Sequence, residues 1–299
     1  MTQPSALRDG LAIIRYHIVL IAMAATVVFG WLMTGRYAWA LALVTGLDWF
    51  LINLLNRVTD IAEDRRNQIA GTERVAARAR LLTAASFGLM ATSFAVTHWL
   101  APALTPYRLA VQLIGLGYNY KIVPTPRGLS RFKELYFFKN FGSAVIFFLT
   151  GFMYPLALAR PSLSWAAIAS LVLFFLPFEI TYEILYDLRD LEGDRAEGVP
   201  TYPVVHGPLR ARQIIDALLV LASLSLAAGL ATGALGLREG LMLAAPVIQF
   251  VFYRRHLARG LTPRDCIALT HLGTALLLFY LAGTAAWSRA GLPENIFLR

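Results

Sequence analysis

Asn56, Asp60 and Asp64 stand four residues apart in NLLNRVTDIAEDRRN, residues 53–67, where a long apolar run ends in a burst of charge. Positions four apart stack on one face of an α-helix. With Asn53 they fall within roughly 80° of arc, an amide and carboxylate stripe at one end of an apolar helix. A second stripe lies in FEITYEILYDLRDLEGDRAEGVPTYP, residues 178–203. There Glu179, Glu183, Asp187, Asp190 and Asp194 share a similar arc and, on a continuous helix, run about 22 Å along it. Hard oxygen ligands of this kind suit Mg²⁺, which takes few protein ligands and completes its octahedron with water and substrate phosphate. Two such stripes face to face would hold Mg²⁺ bridging to a diphosphate. Either stripe alone reads equally well as a solvated helix boundary.

The elements that must position these residues are apolar. Of 299 residues 58% are hydrophobic and 15% charged, and the mean hydropathy is +0.59. Soluble domains carry about 25% charged residues. The chain therefore reads as an all-α, polytopic membrane bundle, and a span needs about 20 helical residues. Apolar segments lie near 12–34, 37–56, 81–100, 107–121, 137–158, 164–187, 210–235, 239–253 and 266–288, about nine transmembrane helices of which the fourth and eighth are short. Arg8 and Arg15 before a run to Met33 read as a retained first span rather than a cleaved signal. Cys266, the single cysteine, excludes an internal disulfide and a metal-thiolate site. With the N-terminus cytoplasmic, only Arg36, Arg108, Arg160, Arg238, Arg289 and Arg299 of the 27 basic residues fall outside. The positive-inside rule favours that orientation. It puts both stripes on the cytoplasmic side, which strengthens the metal reading. The net charge of +9 then belongs to topology and an anionic substrate, with no nucleic-acid partner. No soluble domain or linker remains, so residues 1–299 read as one domain.

On these residues the chain resembles the UbiA superfamily of intramembrane prenyltransferases. Asn56, Asp60 and Asp64 match the family's first motif, N-x-x-x-D-x-x-x-D. Asp187, Asp190, Glu192, Gly193 and Asp194 match its second, D-x-x-D-x-E-G-D, and Gly198, Thr201, Pro203 and Gly207 continue its usual tail. YNYKIVPTPRGLSRFKELYFFKN, residues 118–140, resembles the basic loop between them, ending in a Lys-Asn pair. The resemblance covers nearly the whole chain.

The resemblance implies a transferase in a membrane, with an isoprenyl diphosphate whose head sits on Mg²⁺ between the motifs and whose tail lies in a tunnel opening toward membrane lipid. Asn56, Asp60, Asp64, Asp187, Asp190 and Asp194 are the expected metal ligands. Asp60, Asp64, Asp190, Asp194 and Glu183 are the expected catalytic residues. Asn56, Asp187, Tyr120, Lys121, Arg131, Lys133 and Lys139 are expected to bind substrate, the last five as a diphosphate clamp. Glu183, about 10 Å deeper than Asp190 by helical rise, suits proton acceptance from the acceptor. Phe137, Phe138, Phe141, Phe147 and Phe148 offer ring faces to an allylic cation. Two departures leave the acceptor open among an aromatic acid, a quinol precursor, a tetrapyrrole and a glycerol-phosphate lipid. RRNQIAGTERV stands where many aromatic-acceptor members have an Arg-Pro-rich stretch, and Tyr182 stands where related members have Arg. An intramembrane terpene cyclase of the same superfamily is the alternative, and a transporter is a third reading. The expected location is a prokaryotic inner (plasma) membrane with the site facing the cytoplasm. Asp48 lies roughly 140° from Asn53 and reads as an interhelical hydrogen-bond partner.

Overall fold

The computed structural model describes residues 6–126, 128–136 and 138–293. Arg127, Phe137 and Arg299 lie outside them, and the Arg8 side chain is likewise not described. In chain order the helices are α1 (Ala6–Ile13), α2 (Tyr16–Thr34), α3 (Trp39–Thr59), α4 (Ile61–Arg66), α5 (Thr72–Ala77), α6 (Ala79–Leu100) and α7 (Thr105–Asn119). They continue as α8 (Phe138–Phe148), α9 (Tyr154–Leu158), α10 (Trp165–Arg189), α11 (Leu191–Glu197), α12 (Tyr202–Ala231), α13 (Ala244–Leu257) and α14 (Pro263–Arg289). A π turn, Leu149–Met153, joins α8 to α9. Two short antiparallel strands, β1 (Val123–Thr125) and β2 (Gly128–Ser130), make a hairpin in the basic loop.

Seven helical stretches are long and apolar enough to cross a membrane: 16–34, 39–59, 79–100, 138–158, 165–189, 202–231 and 263–289. The two spans expected to be short fall on α7 and α13, of 15 and 14 residues. Each is led in by a 3₁₀ segment, Pro102–Leu104 and Leu237–Leu243. Neither helix alone reaches the roughly 20 residues a span requires. α2 packs on α3 and α14, and α10 on α12 and α8, so both motif-bearing helices stand inside the bundle. Their shared core is aromatic: Phe29 stacks on Phe152 at 4.5 Å and meets Phe175 edge-on at 5.0 Å, while Trp49 lies 4.2 Å from Phe147.

Asp48 is the interhelical partner its position on α3 suggests. Its Oδ2 accepts from Arg108 Nε at 3.0 Å and from Tyr154 Oη at 2.9 Å, and both charged side chains are buried. Removing one member of such a pair leaves an uncompensated buried charge. Arg108→Met is expected to cost about 3–5 kcal/mol of stability, read as a lowered thermal midpoint in detergent. Arg108→Met with Asp48→Asn should recover much of that loss, and an unaltered midpoint in the single variant would contradict the assignment.

Candidate active site

Asp, whose side chain competes for backbone hydrogen bonds, is a poor helix-interior residue. Here it sets a break in both motifs. α3 stops at Asp60, whose φ of −107° and ψ of 25° lie near the sparsely populated bridge region where active-site residues gather. α10 stops at Asp190 in the same conformation, φ −92° and ψ 8°. The flanking backbone bonds match. Asp60 N donates to Asn56 O at 3.0 Å and Asp64 N to Asp60 O at 2.8 Å; Asp190 N donates to Tyr186 O at 3.0 Å and Asp194 N to Asp190 O at 2.9 Å. The exits agree too, with Ile69 N on Asp64 O and Val199 N on Asp194 O, both at 2.9 Å. A continuous helix through Asp194 is thus corrected to two helices meeting at Asp190. The short helices after the breaks lie together. A Cβ on Gly193 would sit 2.8 Å from Asn67 Oδ1, and Arg66 Nη1 is 3.1 Å from Glu197 Oε1.

Buried carboxylates need cations or donors, and the basic loop supplies them. Lys133 Nζ lies 2.7 Å from Asp60 Oδ2 and 2.9 Å from Glu63 Oε2. Arg131 Nη1 donates to Asp60 Oδ1 at 3.0 Å, and Asn56 Nδ2 to Asp60 Oδ2 at 2.5 Å. At the second motif Lys139 Nζ lies 2.9 Å from both Asp187 Oδ1 and Asp194 Oδ2. Its neighbour Asn140 donates to Asp187 Oδ2 at 2.6 Å, so both members of the Lys-Asn pair meet the acidic motif. Asp190 is held by the adjacent Arg189, and Ser143 Oγ donates to Glu183 Oε1 at 2.8 Å. Burial pushes the Asp194 carboxyl up to about 6, with Lys139 opposing and Asp187 adding to the rise. Burial likewise raises Asp64, against Arg15 and Arg57.

The two motifs open on one cavity of about 1570 Å³, larger than the roughly 300–1,000 Å³ of an ordinary ligand site. Asn56, Asp60, Glu183, Asp187, Asp190, Asp194, Lys133 and Lys139 line its polar end. Beyond Glu183 the wall is mainly aromatic and aliphatic, with Trp49, Phe147, Phe174, Phe175 and Phe178, and carries one further buried carboxyl, Glu179. Among the described residues, Phe147 alone of the expected cation-facing rings is on this wall; Phe138 stacks on Phe132 at 5.8 Å and Phe148 on Phe152 at 6.0 Å.

Four expected site residues stand off the cavity wall. Asp64 pairs with the fully buried Arg57, whose Nη2 donates to Ala70 O at 2.7 Å, so it pins the loop after α4 to α3. Arg131 acts on Asp60 from behind and also bonds Glu134. Tyr120 lies beside Phe87, ring centroids 5.9 Å apart, and Lys121 is exposed with Nζ 4.0 Å from Glu134 Oε1. Several cavity residues were missed. Glu63 is seven residues after Asn56, about 20° away on a helix, a spacing that would have found it. Tyr118 lines the cavity within electrostatic reach of Asp60, Asp187, Glu183 and Lys139, hence of both motifs. Only the tertiary fold brings it there.

Apolar helices closed around a cavity that ends in carboxylates define an integral membrane protein with an internal polar site. The chain belongs to the UbiA prenyltransferase family, whose model matches residues 16–282. Comparison with curated proteins finds no match. Among solved structures, a UbiA homologue from Archaeoglobus fulgidus bound to DMAPP and Mg²⁺ shares the fold at TM-score 0.70 and 18% identity, covering 93% of this chain and 98% of that one. The same homologue bound to GPP and Mg²⁺ matches at TM-score 0.70 and 18% identity, covering 94% and 99%. A structure described for digeranylgeranylglyceryl phosphate synthase in membranes matches at 0.57 and 16%, covering 93% and 98%.

Proposed function

We propose that the protein transfers an isoprenyl group from an isoprenyl diphosphate to a small-molecule or lipid acceptor, with Mg²⁺ as cofactor. The observation that carries this reading is the cavity itself: two acidic segments with lysines between their carboxylates at one end, and a mainly apolar, aromatic wall at the other. The Archaeoglobus fulgidus homologue, with one structure bound to DMAPP and Mg²⁺ and another to GPP and Mg²⁺, supports it. Among the described residues no three His, Cys, Asp or Glu side chains are already drawn into a cage. The carboxylates on the cavity wall are hard oxygen donors of the kind Mg²⁺ takes together with water and substrate phosphate. Asp60, Asp187, Asp190 and Asp194, with the Asn56 amide oxygen, are the groups that would hold it. Mg²⁺ bound there neutralises the diphosphate and makes it a better leaving group.

The remaining work falls to the chain. Lys133 and Lys139 exchange carboxylate for phosphate oxygens and hold the leaving group by charge-assisted bonds. The bond from C1 to the diphosphate oxygen breaks, and the diphosphate leaves with the electron pair. Phe147, Phe174, Phe175 and Phe178 exclude the water that would quench the allylic cation. The acceptor nucleophile bonds to C1, and its proton passes to Glu183. We place this site on the cytoplasmic side of a prokaryotic plasma membrane, with the N-terminus cytoplasmic and the whole chain acting as one domain. The test is purified protein with labelled geranylgeranyl diphosphate, Mg²⁺ and a panel of acceptors. Prenylated acceptor with release of pyrophosphate is expected; a cyclic hydrocarbon formed without any acceptor would identify a cyclase instead.

A proton on Asp194 competes with the metal for the same oxygens. Mg²⁺ affinity should therefore rise as pH increases through about 6, where this carboxyl ionises, and level off above it. Titration calorimetry across that range checks this, and affinity that falls with rising pH would contradict it.

A further inference from the structure

The matching breaks at Asp60 and Asp190 put the two motifs in register with each other. Three residues before the break stand Arg57 and Asp187; three after it stand Glu63 and Gly193; four after it stand Asp64 and Asp194. At the second motif the acids on either side of the break share one lysine. Lys139 Nζ lies 2.9 Å from Asp187 Oδ1 and 2.9 Å from Asp194 Oδ2, and all three residues line the cavity. At the first motif a cation takes the place of the leading acid. Arg57, fully buried in α3, pairs with the buried Asp64 and also donates to Ala70 O at 2.7 Å. Turning Asp64 toward a metal would strand Arg57 as an unpaired buried charge, which is strongly destabilising.

Glu63 fills the gap this leaves. It is half-buried and lines the cavity, and its Oε2 accepts from Lys133 Nζ at 2.9 Å. The same lysine meets Asp60 Oδ2 at 2.7 Å. Lys133 therefore bridges two carboxylates at the first motif as Lys139 does at the second. The second motif has no use for an acid three residues after its break, since Asp194 is on the wall; there the chain carries Gly193, packed against Asn67. A carboxylate held by a lysine at a cavity wall becomes open to a divalent cation once that lysine turns to phosphate.

We propose that Glu63, with Asp60, supplies the carboxylate oxygens of the first motif to the divalent cation, and that Arg57 and Asp64 form a structural pair outside the metal site. This inference rests on the Mg²⁺ reading of the cavity and reassigns one ligand within it. It gives the two acidic ends the same composition: Asp60 and Glu63 on Lys133, Asp187 and Asp194 on Lys139.

The experiment measures equilibrium binding of geranyl thiolodiphosphate, whose bridging sulfur resists ionisation, to the purified full-length protein in detergent as Mg²⁺ is titrated. Glu63→Gln should need about tenfold more Mg²⁺ or higher for half-maximal binding, because even the outer partners of metal ligands cost that much. Glu63→Cys should bind the analogue better with Zn²⁺ than with Mg²⁺, since a thiolate selects the softer ion. A residue that acts by charge alone would show no such change of preference. Arg57→Met combined with Asp64→Asn removes the buried pair without stranding either charge, and it should keep the wild-type Mg²⁺ requirement. A wild-type Mg²⁺ requirement in Glu63→Gln, or a wild-type metal preference in Glu63→Cys, overturns the inference. So does a folded double variant that needs more Mg²⁺, which would return Asp64 to the metal. Should the double variant lose its thermal transition, the two Glu63 variants still decide. Analogue binding by wild type that ignores Mg²⁺ overturns the metal reading itself, and this inference with it.

Discussion

Asp60→Asn is expected to lower prenyl transfer by about a hundred- to a thousandfold, the range lost when one preorganised group stabilising developing charge is removed. Asp60 stands at the break between α3 and α4 and gathers Asn56, Arg131 and Lys133 around its two oxygens. Asparagine keeps its size but removes the charge that pairs with Lys133 and, on the proposed reading, would hold Mg²⁺. Asp190→Asn at the corresponding break in α10 should behave alike. Both variants should remain folded, because each break is already stabilised by backbone bonds and the lost charge faces the cavity. Initial rates at saturating donor, with thermal midpoints as a control, decide the matter. Wild-type turnover in either variant would remove that aspartate from the site. Asp64→Asn is expected to act differently: it unpairs the buried Arg57, so its first effect should be on stability.

The second large effect is expected at Glu183. Glu183→Gln keeps the shape and the bond from Ser143 but cannot take up the acceptor proton. Positioned acid–base groups contribute about a hundred- to ten-thousandfold, and kcat should fall within that range. Donor binding should stay near normal, because Glu183 lies one turn deeper than Asp187 and outside the contacts of Lys133 and Lys139. Single-turnover chemistry and equilibrium donor binding separate the two. Lost donor affinity would assign Glu183 to the diphosphate end, and normal turnover would make it a packing residue.

Helical spacing made the acidic stripes legible, since residues four apart share a face whatever the rest of the chain does. It brought Asn56, Asp60, Asp187, Asp190 and Asp194 to the cavity, and Lys139-Asn140 to the second motif. Spacing alone did not show the breaks at Asp60 and Asp190. On the same arithmetic Glu63 is about 20° from Asn56 and Asp64 about 80°, and it is Glu63 that faces the cavity while Asp64 meets Arg57. Tyr118 and Ser143 were out of reach for a different reason. Each joins the site through contacts across the bundle, and no local pattern marks them. Lys121 and Tyr120, close in sequence to the clamp, go elsewhere: Lys121 is exposed near Glu134, and Tyr120 lies against Phe87. Proximity in the chain is a weak guide to a cavity wall.

The central claim is that both acidic helix ends bind one prenyl diphosphate together with Mg²⁺. Equilibrium binding of geranyl diphosphate to the purified protein, with Mg²⁺ and with EDTA, tests it most directly when repeated on Asp60→Asn and Asp190→Asn. Saturable binding that needs Mg²⁺ and is lost in both variants is the predicted result. Binding that survives EDTA, or that tolerates either substitution unchanged, would contradict it.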